Sequence, residues 1–119
     1  MAAMKRKVLP ARFYRTATGA EPVRKWLRAL PREDKRIVGT DIATVEFGWP
    51  VGMPTCRRGL LEVRSSLTQN RIARVLFCIH QGQMVLLHGF IKKTHQTPEN
   101  DLDLAVKRQK EIEGGKAAK

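Results

Sequence analysis

The sequence predicts one small α+β domain from three observations. Apolar residues recur at helical spacing in the first half, the period turns strand-like after Gly59, and helical spacing returns after Pro98. At 119 residues the chain has the length of a single domain, and 42% hydrophobic content suffices for one packed core. No apolar run approaches the roughly 20 residues of a membrane helix. The expected organisation is a single domain over 1–119, with a structured core over about 8–112 and a frayed tail over 113–119.

Residues 7–14 read as a strand, and Pro10 confines it to a sheet edge or a bulge because proline donates nothing to a ladder. After Thr18-Gly19, Pro22 suits a first helical turn, and Val23, Trp26, Leu27 and Leu30 form one apolar helix face. Pro31 ends that helix. A second begins near Arg32 and continues the stripe through Val38, Ile42, Val45 and Trp49 until Gly48, Pro50 and Gly52 stop it. Three strands follow, Leu60–Ser65, Ile72–His80 and Met84–Ile91, and the short links Thr68-Gln69-Asn70 and Gln81-Gly82-Gln83 make them an antiparallel meander. Thr97 as cap, Pro98 in the first turn and Glu99 at the positive end open a last helix, with Leu102, Ala105, Val106 and Ile112 inward. The helices are expected on one face of a twisted sheet, with the other face partly open.

Charge narrows the function. Lys+Arg number 23 against 11 Asp+Glu, a formal net charge of +12, and the whole excess lies before Pro98. Such a domain attracts polyanions: a nucleic acid, an acidic protein partner, or both. An export signal is not expected, because no apolar segment follows the basic start. Cys56 and Cys78 and three scattered histidines lack zinc-ligand spacing, so reduced thiols, a cytoplasmic location and no metal or other cofactor are expected. Phosphate-loop, dinucleotide, nucleophile-elbow and zinc-protease motifs are missing, and 6% aromatic content argues against a base-stacking platform.

Between Arg57 and Lys93 stand seven basic residues and a single acid, Glu62. Arg64, Arg71, Arg74, Lys92 and Lys93 come from three neighbouring strands or their ends, where cross-strand pairing gathers them. Like charges gathered on a sheet cost stability unless a polyanion neutralises them. Lys92-Lys93-Thr94-His95-Gln96-Thr97-Pro98 adds two cations and an imidazole before a helix N-terminus, a combination suited to phosphate and to proton transfer by His95. His88 reads as a half-buried sheet residue and His80 as an exposed turn residue.

Gly59-Leu-Leu-Glu-Val-Arg64, Arg71-Ile-Ala-Arg74-Val-Leu-Phe-Cys78, Val85-Leu-Leu-His-Gly-Phe-Ile-Lys-Lys93-Thr-His-Gln-Thr-Pro98 and a helix carrying Ala105 and Lys107-Arg108 resemble the RelE/ParE toxin superfamily, and within it the phage-derived HigB-like branch. The resemblance spans about residues 8–112 and is most specific in its third block. It implies a compact RelE-like toxin fold, with two N-terminal helices on a twisted, mainly antiparallel sheet and a C-terminal helix. It also implies a type II toxin that cuts mRNA, commonly on the ribosome, without metal, and is neutralised in a hetero-oligomer by a cognate antitoxin, often of helix-turn-helix type. On this resemblance Arg64, Arg74 and Lys92 or Lys93 would clamp phosphate, and His95, or failing it a lysine, would move the proton. Arg57, Arg58, Arg71, Lys107 and Arg108 would be the supporting RNA contacts. Leu61 stands where an aromatic residue is common, and the second block lacks a tyrosine, Tyr14 being the chain's one tyrosine. Two other functions remain open at this point: a ParE-like toxin that binds DNA gyrase without cutting RNA, and a basic nucleic-acid-binding module without catalysis.

Overall fold

A computed structural model of the chain describes residues 6–50, 59–92 and 98–114. Its elements are β1 (Ala11–Phe13), α1 (Pro22–Ala29), α2 (Arg32–Gly48), β2 (Leu61–Ser66), β3 (Ile72–His80), β4 (Gln83–Lys92) and α3 (Glu99–Glu113). The four strands form one sheet in the order β1-β4-β3-β2. The last three make the expected meander, and β1 lies parallel to β4 with Ala11 opposite Met84 and Phe13 opposite Leu86. Pro10 precedes this edge strand, and its carbonyl accepts the Met84 amide.

Turn chemistry fixes the meander. Gln81 and Gly82 both have positive φ, the two-residue geometry that suits tightly paired strands. Gln69 and Asn70 do the same before β3, where the Leu67 amide donates to the Arg71 carbonyl. Pro22 starts α1 and Pro31 separates it from α2, as the sequence predicts. Thr97 lies outside the described residues; α3 begins at Glu99, with Pro98 at the cap position and Glu99 and Asp101 in the first turn.

The expected placement of all helices on one face needs correction. Val23, Val38, Ile42 and Val45 of α1 and α2 pack on Val63, Ala73, Val75, Phe77, Met84 and Leu86, whereas Leu102, Ala105 and Ile112 of α3 pack on Leu60, Leu76, Cys78, Val85, Leu87 and Phe90 on the opposite side. The physical reason lies in β3, which is buried without interruption from Ala73 to Cys78, as a strand covered on both faces must be. A bulge lets Leu76 pair with His88 while Phe77 pairs with Leu86, so Leu87 is an extra residue and both it and His88 meet α3. Among the described residues no helix is long and apolar enough to cross a membrane.

Gly89 lies under the indole of Trp26 so closely that an added Cβ would stand 2.5 Å from ring carbon Cε3. Gly89→Ala is therefore expected to lower the unfolding free energy by about 1–3 kcal/mol, read from the midpoint of urea denaturation.

Candidate nucleic-acid interface

Strand register assembles the basic residues that the sequence singles out. Arg64 of β2 lies directly opposite Arg74 of β3, which lies opposite Phe90 of β4, and the next row pairs Ser66 with Ile72 and Ile72 with Lys92. Arg64, Arg74 and Lys92 thus share the face that α3 covers only in part. Ser66 and Lys92 are exposed and the Arg64 side chain is 50% exposed.

Arg74 is different: it is 1% exposed, at the heart of β3. Its Nη1 donates to Glu62 Oε2 at 3.0 Å, and Glu62 is itself buried. The other oxygen of the same carboxylate stands 3.7 Å from Arg64 Nη2. One buried carboxylate therefore faces two guanidiniums, one sealed in the sheet and one open to water. Two arginines directly opposite across strands repel, and the acid two residues before Arg64 on the same face offsets that repulsion.

The remaining candidates divide by environment. Arg71 forms a two-pronged pair with the buried Asp34 of α2, at 2.8 and 3.1 Å, and also donates to the Thr68 carbonyl. Hydrogen bonding to Asp34 holds its pKa above the usual arginine value, and its guanidinium ties the β2–β3 turn to α2 on the far face. Arg108 donates to the Leu87 carbonyl at 2.7 Å and lies 5.2 Å from the Tyr14 ring centroid; burial lowers its pKa. Lys107 is exposed on α3. Arg57, Arg58, Lys93 and His95 lie outside the described residues. Of the ten residues singled out, the structure brings Arg64, Arg74 and Lys92 to one face and leaves Arg71 as a fold contact elsewhere.

Sequence reasoning passed over Glu62 as a functional residue. A signal was present, because Glu62 is the single acid of the basic run and stands at strand spacing from Arg64. It also passed over what holds α3 down: His88 Nε2 meets Asp101 Oδ1 at 2.6 Å, and the Tyr14 hydroxyl donates to the Glu111 carboxylate. Burial, then the bond to Glu111, pushes the Tyr14 pKa up to about 12. Burial likewise pushes the thiol of Cys78, a free cysteine, up to about 11, so it stays protonated at neutral pH. Among the described residues no group of three or more His, Cys, Asp or Glu side chains is placed to hold a metal ion.

The class defined by this fold and face is a small α+β domain with a two-sided core and an acid-anchored pair of arginines at the open end of its sheet. The chain belongs to the family of phage-derived Gp49-like proteins, whose pattern it matches over residues 25–110. That stretch takes in the whole of β2, β3 and β4 and most of α3, and so every described residue of the face. No curated protein sequence matches the chain.

Arg74→Ala would leave the Glu62 carboxylate buried beside a hole, so a loss of about 3–5 kcal/mol in unfolding free energy is expected. Arg64→Ala should change it by less than about 1 kcal/mol. Urea denaturation of both variants checks the contrast. Tyr14 keeps its proton in the folded state at pH values where the unfolded chain loses it, so the contribution is intact below pH 10 and is lost as pH rises to about 12. Unfolding measured across that range should show wild type losing stability relative to Tyr14→Phe.

Proposed function

We propose that this protein is the toxin of a type II toxin–antitoxin pair, a metal-independent endoribonuclease that cuts mRNA on the ribosome, within the HigB-like branch of the RelE/ParE superfamily. The observation that carries the reading is the pair of exposed cations, Arg64 and Lys92, in adjacent rows of one sheet face, with the buried carboxylate of Glu62 within 4 Å of Arg64. The family membership and the resemblance of three sequence blocks to known toxins support it.

In the reaction this reading implies, the RNA 2′-hydroxyl attacks the adjacent phosphorus and the bond to the 5′ oxygen breaks, leaving a 2′,3′-cyclic phosphate and a 5′-hydroxyl. One proton leaves the 2′-hydroxyl and one reaches the departing 5′ oxygen. The phosphorane-like transition state carries extra negative charge, and cations fixed beforehand stabilise it without reorganising. Arg64 and Lys92 supply such charge, Lys93 adds to it, and His95 is the proton carrier, since imidazole titrates near neutrality. Arg74 acts from behind through Glu62 and does not touch RNA. A helix-turn-helix antitoxin with an acidic or amphipathic segment would neutralise the toxin by covering the same cations.

Primer extension on cellular mRNA after brief induction tests the reading, with Arg64→Ala and Lys93→Ala beside wild type. Discrete cuts within translated regions are expected for wild type and not for the variants. Intact mRNA in growth-arrested cells would overturn the ribonuclease and move the target to DNA gyrase or another protein.

A further inference from the structure

The carboxylate that neutralises Arg74 also lies within 4 Å of Arg64, whose side chain is half exposed. A pair serving stability alone would be complete with Arg74 and would gain nothing from a second guanidinium in solvent, where ion pairs contribute little. Glu62 and Arg64 alternate on one face of β2, and Arg74 lies opposite Arg64 in register. Arg74, sealed in β3, therefore fixes Glu62, and the second oxygen of Glu62 stands 3.7 Å from the outward guanidinium of Arg64. The same carboxylate places a negative charge beneath a surface that otherwise attracts phosphate.

We propose that Glu62 is the positioning residue of this surface: it orients the Arg64 guanidinium for the phosphate undergoing cleavage and, by its charge, keeps that surface from holding intact RNA too tightly. The inference rests on the ribonuclease reading above and names the residue that separates binding from turnover in it. Catalysis requires interactions stronger in the transition state than in the ground state. A free arginine on a bare basic patch binds both indiscriminately, whereas an arginine oriented for the transition state favours it, by more than the buried acid's repulsion of the added negative charge takes away.

The two roles make an unusual prediction, because loss of Glu62 should act on binding and on turnover with opposite signs. The full-length protein and its Glu62→Gln variant are compared on an RNA oligonucleotide spanning a cut mapped by primer extension, presented free and in a programmed ribosome. Binding is read with the same oligonucleotide carrying one 2′-deoxynucleotide at the cut. Removing one negative charge a few ångström from the phosphate should tighten binding and lower KM by roughly threefold to tenfold. Loss of orientation should lower kcat by about 10- to 100-fold. Unchanged kcat, or binding and kcat falling together as in a merely destabilised protein, would overturn the proposal. Thermal melting confirms that the variant is folded at the assay temperature. Should Glu62→Gln not fold, nitrogen-15 NMR of the wild type decides: a restrained Arg64 Nε–H supports the proposal, and one moving as freely as an isolated side chain overturns it. A wild type that cuts neither substrate fails the ribonuclease reading itself, and this inference falls with it.

Discussion

β3 runs between two apolar layers, and every polar group it carries must be satisfied inside the protein. From Ala73 to Cys78 no residue of it is open to solvent, yet position 74 is an arginine. An isolated buried guanidinium would cost far more than a small domain can tolerate, so a carboxylate from a neighbouring strand has to lie within hydrogen-bonding reach. Glu62 meets that demand from β2. The requirement pins the pairing register of β2 on β3 as firmly as the apolar contacts do, since a one-residue slip would send Glu62 to the opposite face. With that register set, Arg64 emerges at the open end of the sheet.

The closing helix is held at both ends by polar contacts over an apolar middle. Near its start Asp101 meets His88, which the bulge in β4 turns toward it; near its end Glu111 accepts from Tyr14, just past β1. Leu102 and Ala105 between them, and Ile112 just beyond, fill the second core. Arg108 bonds the Leu87 carbonyl just beyond Leu86, where the pairing of β1 with β4 ends, so a side chain takes over a backbone acceptor that strand pairing leaves behind. Helix α3 therefore covers the middle of its face and leaves Arg64, Ser66 and Lys92 exposed.

A net charge of +12 does not by itself make an interface. Arg71, Arg74 and Arg108 spend their charge on Asp34, Glu62 and a carbonyl, and act as cross-braces. Arg24, Lys25, Arg28, Arg32, Lys35 and Arg36 are exposed on the helical pair that covers the opposite face of the sheet. They raise the field that draws polyanions toward the protein, a long-range effect that salt weakens. Under the proposed function, short-range recognition falls to the few cations that the sheet places on its open face.

The helices, the meander and the parting of α1 from α2 at Pro31 were legible because proline, glycine and hydrophobic period act locally, through backbone torsions and faces set by residues three or four apart. The basic character of the sheet was legible for the same reason, since alternate residues of one strand share a face. The side on which α3 packs was written more faintly, in the unbroken apolar run of β3. Which arginines would be free was not written at all. Arg64, Arg71 and Arg74 look alike along the chain, and only the pairing of β2 on β3 and the packing of α2 decide that Asp34 takes one, Glu62 buries another, and the third is left facing water. Composition and local order settle the elements; the burial and pairing of Arg64, Arg71 and Arg74 depend on residues up to 37 positions away, brought together only when the two cores close.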